Sequence, residues 1–190
     1  MAGGAARRHG AGLRGDSGEL ADWLAHGTAD AAVLVDPPSG PGILLTTDGY
    51  RALLPRDHPL ADEPRVALAD LADDAFLVSP NGCEERVRDL HDPVGARFAP
   101  ARRVRDLATP IGMVQAGLGV TVLSEAARPL IGPDLVLLPL DPPAARRLVL
   151  SGPGSGPWHP ALRPLATAAA AHPAGPATAE DARPGRATAG

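Results

Sequence analysis

Two short loops hold the residue types best suited to chemistry. Ser79, Asn81, Gly82 and Cys83 follow the apolar run Phe76, Leu77, Val78 and precede the helix-forming stretch EERVRDL, while Thr109 stands just before Pro110 and a second apolar stripe. Backbone N–H groups at a helix N-terminus lack partners inside the helix, and the helix dipole adds partial positive charge, so such ends attract carboxylates and phosphates. The side chains of Ser79, Asn81 and Thr109 would add hydrogen-bonding groups. The same residue types also cap helices, and either loop by itself is explained as well by capping. Two such loops in one chain tilt the balance modestly toward an anion site.

Other chemistries find less support. Gly-Leu-Gly at 117–119 and Gly-Gly at 3–4 lack the strand, glycine and helix order of a nucleotide-binding loop. The histidines at 9, 26, 58, 91, 159 and 172 have neither i, i+4 pairing nor cysteine company, which predicts surface or turn roles and no metal site. None of the serines sits in a nucleophile elbow, and the carboxylate pairs Asp73 with Asp74 and Glu84 with Glu85 read as solvated faces, so no enzyme is expected. Cys83 at a helix start has the placement that lowers a thiol pKa, yet no second cysteine exists to resolve an oxidised one. It is expected to be a small, half-buried residue. Arg102, Arg103 and Arg105, with no aromatic interleaved, read as an exposed edge.

The elements needed to position the two loops can be read from the pattern. Leu20, Trp23 and Leu24 recur at helical spacing behind Asp16 or Ser17 as N-cap, with Gly27 at the end, and residues 31–35 form a buried strand. Further strands are predicted at 49–55, 76–78, 120–123, 135–138 and 148–150. Helices are predicted over VALADLAD, from Cys83, from Pro110 with Thr109 as cap and Gly117 or Gly119 as stop, from about Glu125, and from His159 and Pro160. The alternation gives an α/β class.

Composition sets the frame around these elements. The chain has 190 residues, 44% hydrophobic, and all 18 basic groups are arginine against 22 acidic ones, a net charge of −4 that does not point to nucleic acid. One cysteine rules out an intramolecular disulfide and fits the cytoplasm, and no export signal or membrane-spanning run is read. Residues 1–17 and 173–190 are rich in small and polar residues and are expected to be disordered.

The stretches LADWLAHGTADAAVLV, LLPRDHPLAD, VALADLADDAFLV, TPIGMVQAGLGVTVLSE and LVLLPLDPPAARRLVL, in this order, resemble the effector-binding domain of LysR-type transcriptional regulators over about residues 18–172. Gly82, Cys83 and Arg86 also resemble a Gly-Cys-x-x-Arg pattern of some members, which favours a structural cysteine. The resemblance implies a type 2 periplasmic-binding-protein-like fold, two α/β lobes with a cleft. The first lobe, residues 18–50 and 136–172, is expected to be N-terminally truncated, and the second takes 51–135. It further implies a small, anionic effector held by Ser79, Asn81, Gly82, Cys83, Thr109 and Ile111, no cofactor, and homo-oligomerisation through this domain. DNA would be contacted only through a winged-helix segment that these residues do not include. A stand-alone binding protein of the same fold, or a non-functional fragment of a regulator, is the alternative expectation.

Overall fold

The computed structural model describes residues 12, 13, 15–38, 42–79, 84–95, 97–104, 108–153 and 157–171. Of these, the residues up to Leu45 and from Leu148 onward form one compact unit, and Thr46–Arg147 the other.

In the first unit, helix α1 (Ser17–Ala25) is closed at both ends by local chemistry. Asp16 accepts the Glu19 N–H at 2.8 Å while Glu19 accepts the Asp16 N–H at 3.1 Å, a reciprocal cap. At the other end Gly27, at φ +70°, lets Thr28 N–H reach the Trp23 carbonyl and its own N–H reach that of Leu24. Strand β1 (Ala32–Val35) then buries Ala32 and Leu34 against Leu24 and turns Val33 outward. It pairs antiparallel with residues 148–151, the last part of the later strand β8 (Ala145–Ser151). The long strand β2 (Gly42–Pro55) starts seven residues before the expected 49–55. Its first residue lies so close to β8 that a Cβ on Gly42 would come within 2.5 Å of Val149. The expected C-terminal helix begins later than its cap signal: His159 and Leu162 form a turn, and helix α4 is Arg163–Ala171.

The second unit is a sheet covered on both faces. In chain order its strands are the rest of β2, β3 (Val66–Ala67), β4 (Phe76–Val78), β5 (Arg102–Arg103), β6 (Val120–Ser124), β7 (Leu135–Asp141) and the start of β8 (Ala145–Ser151). Across the sheet the order is β3, β7, β2, β6, β4, β5. β2 is antiparallel to β6 and β7, and β4 is parallel to β5 and β6. Residues 50–54 are all buried, as a central strand between two cores requires. Ala52, Leu54, Phe76, Val78, Val120 and Val122 face one core together with Val87 of helix α2 (Glu84–His91). Leu53, Leu77 and Leu123 face the other with Ile111 and Val114 of helix α3 (Ala108–Gln115).

Two helical expectations are corrected. VALADLAD divides into β3 and a single 3-10 turn, Leu68–Leu71, because Val66 and Ala67 pair with Leu140 and Asp141 of β7 and Asp70 accepts the Ala67 N–H. The segment after Ser124 is likewise 3-10, Glu125–Leu130, with Pro129 lacking the donor that α-helix continuation needs.

Candidate functional site

β4 and β5 lie side by side in parallel, Leu77 opposite Arg102 and Val78 opposite Arg103, and Val104 N–H donates to the Val78 carbonyl at 2.9 Å. Their carboxyl ends therefore share one edge of the sheet. From that edge α2 packs on the face of Phe76 and Val78, whereas α3 packs on the opposite face with Leu77. Adjacent parallel strands whose following helices go to opposite faces open a crevice at their carboxyl ends, the place where open α/β sheets bind ligands. The opposite placement also makes both crossovers, β4 to β5 and β5 back past β4 to β6, compatible with the right-handed rule.

Ser79 follows β4 at this edge, partly buried, and its carbonyl accepts the Glu84 N–H at 3.1 Å. Asn81, Gly82 and Cys83 lie outside the described residues. Thr109 is exposed at the same edge, but it is the second residue of α3 and not the residue before it, so its predicted role as N-cap is corrected. Pro110, fully buried, is third in the helix, where the absent N–H belongs to the unbonded first turn. Ile111 points away from the edge, 8% exposed among Leu53, Leu77 and Leu123, and so seats the start of α3 on the sheet. The far end of α3 is held by glycine: Gly117, at φ +69°, closes a turn in which Leu118 N–H reaches the Met113 carbonyl and Gly117 N–H that of Val114.

The electrostatics of the two helix starts differ. The first turn of α2 carries Glu84 and Glu85, while that of α3 carries no acidic residue. Glu84 is not the solvated carboxylate expected from its spacing. It is buried and accepts Arg103 Nε at 2.9 Å and Nη2 at 2.8 Å, with Arg88 Nη2 at 3.4 Å. The Glu84 hydrogen bond, with the charge of the same carboxylate, holds the Arg103 guanidinium above its ordinary pKa. β5 is thus tied to the first turn of α2 by side chains as well as by the strand ladder. The other end of α2 is fixed by His91, which is buried and not on the surface as expected. Its Nδ1 donates to the Val87 carbonyl at 2.7 Å, and its ring stands edge-on to Phe76 and Phe98, centroids 5.3 and 5.1 Å away. His58 keeps the predicted turn role, accepting the Leu60 N–H and donating to Asp74.

Among the described residues no group of His, Cys, Asp and Glu could hold a metal ion, and no helix is long and apolar enough to cross a membrane. Sequence comparison matches residues 13–174 to the LysR substrate binding domain. The chain is similar to the uncharacterized HTH-type transcriptional regulator YvbU of Bacillus subtilis, 32% identical over 144 residues that make up 73% of this chain and 49% of the relative. It is similar also to the transcriptional dual regulator GltC of the same organism, 36% identical over 57% of this chain and 37% of the relative. The chain thus spans about half the length of these relatives or less. The fold matches the regulatory domain of CcmR from Synechocystis PCC6803, determined in complex with 2-PG, at a TM-score of 0.70 and 17% identity over 82% of this chain and 79% of that one. The mixed sheet, the switch of faces between β4 and β5 and the matched residues agree: this chain belongs to the LysR substrate binding domain family.

Proposed function

We propose that the chain senses a small organic anion and, as the effector-binding part of a LysR-type transcriptional regulator, modulates transcription without being an enzyme. The single observation that carries this reading is the switch of faces between β4 and β5, which brings Ser79 and the start of α3 to one sheet edge. The anion is assigned to the loop of Ser79, Asn81, Gly82 and Cys83 and to Thr109, with Ile111 seating the helix from below. Polarity follows from charge: the α3 start has no carboxylate of its own, and the Glu84 carboxylate at the α2 start is already matched by Arg103. The CcmR regulatory domain, determined in complex with 2-PG, supports a small-molecule ligand on this fold. DNA contact is assigned to a winged-helix segment of the regulator, the setting to the cytoplasm, and self-association to this domain.

Titration calorimetry of the chain against a panel of small carboxylates and phosphoesters tests the reading. Thr109→Val and Ser79→Ala should each weaken a ligand so found by about tenfold or more, since a hydrogen bond to a charged group contributes about 1.5–3 kcal/mol. An affinity unchanged by both substitutions would leave these residues as parts of the helix starts alone and sink the assignment.

A further inference from the structure

The chain leaves the unit Thr46–Arg147 at two points, within β2 and within β8. Asp48 stands two residues inside the first exit and Arg146 one residue inside the second, and they form a forked ion pair. Arg146 Nε faces Asp48 Oδ1, and Nη2 donates to Oδ2 at 3.0 Å. Both side chains are nearly buried, 11% and 14% exposed. Two residues further in, the same segments are joined by the Tyr50 N–H donating to the Ala144 carbonyl at 2.7 Å. The Arg146 guanidinium also lies over the Tyr50 ring, 5.9 Å from its centroid.

A third segment closes the cluster. Asp48 Oδ2 accepts the Ala126 N–H at 3.3 Å, and the 3-10 segment that supplies this donor is itself held by Arg51, which donates to Glu125 at 2.8 Å. The position on β2 is telling, because residues 46–48 are only partly covered and residues 49–54 are buried. Apolar packing therefore secures the strand from Tyr50 inward, and polar bonds must hold it from there to the exit.

We propose that Asp48 and Arg146 form a latch that holds the two exit strands in register, so that local opening at both exits requires breaking one ion pair. A forked guanidinium–carboxylate pair suits this role: it is directional, and removal of either partner leaves the other charge poorly solvated. Strand ends that carry a chain between compact units are where backbone rotation is absorbed, and the latch would set how freely that happens.

Amide hydrogen exchange on the full chain, comparing Asp48→Asn, Arg146→Gln and the double variant, tests the proposal. Each single variant should speed exchange of the Tyr50 amide by about tenfold, the loss of a charged hydrogen bond read as local opening. The amides of Val120 and Ala101, bonded to Ala75 and Phe76 on the far side of β2, should keep their rates. The double variant should be no faster than the quicker single one, because the second substitution has no ion pair left to break. Unchanged Tyr50 exchange in the single variants overturns the latch, as does an additive double variant. Equal acceleration at Val120 and Ala101 overturns it too, by showing a loss of global stability. Asp48→Glu, which keeps the charge, serves if a neutral variant fails to fold, and it should hold Tyr50 exchange within a few-fold of the parent.

Discussion

A carboxylate in this chain draws its meaning from the arginine it meets, and Glu125 shows how that becomes measurable. Its hydrogen bond from Arg128 is the main cause that lowers its pKa, burial opposes this, and the Arg51 bond lowers it further. A carboxylate depressed in the folded state adds stability above the unfolded carboxylate range and loses it as the pH falls through the folded value. Glu125→Gln is therefore expected to cost on the order of 1 kcal/mol at neutral pH. Variant and parent should converge in acid, below the folded value. Urea midpoints measured at neutral pH and in stepwise acidification check this, and a gap that stays constant or widens in acid would contradict it. Glu84 makes the same point without a titration. Its spacing beside Glu85 reads as a solvated face, and only the adjacency of β4 and β5 brings Arg103, 19 residues away, onto its carboxylate.

At the scale of elements, signals that act within one turn are legible and those that act across the sheet are not. Asp16, Glu19 and Gly27 set the bounds of α1 because every partner lies within five residues. Gly117 and Gly119 look interchangeable as helix stops, yet the structure separates them. Gly117 ends α3 at φ +69° with open space where a Cβ would stand, whereas Gly119, at φ +146°, lies so near β4 that a Cβ would sit 2.0 Å from the Ala75 carbonyl oxygen. Gly117→Ala should thus cost only about 1–2 kcal/mol, the penalty of a left-handed alanine. Gly119→Ala should cost more, because it adds a backbone clash to a conformation that alone costs about 1–3 kcal/mol. Thermal melts of the two variants rank them, and equal losses would contradict the contact. The 3-10 turns at Leu68–Leu71 and Glu125–Leu130 read as longer helices because apolar residues three apart fit both helix types.

For the molecule as a whole, charge and family membership lead to one expectation. These 190 residues carry a net charge of −4, and the family match occupies residues 13–174. Expressed alone they should not retain duplex DNA, because affinity for DNA rests on neutralising phosphates with basic side chains. A gel shift at low salt checks this, and retention of a promoter fragment that survives added competitor DNA would refute it. The α/β class, the apolar strands, α1 with its caps and the order of the family's sequence stretches were all legible from residue order, since each depends on neighbours within a few positions. The location of the candidate site was half legible. The helix-start loops announce themselves, but the nearness of Ser79 and the start of α3 to one edge depends on β4 and β5 being parallel neighbours with helices on opposite faces. The inward turn of Ile111, the burial of His91 and the joining of Asp48 to Arg146 across 98 residues were decided by tertiary structure alone. The physical reason is common to all three: local sequence specifies which backbone a segment adopts, whereas a side chain's solvent and partner are properties of the packed sheet.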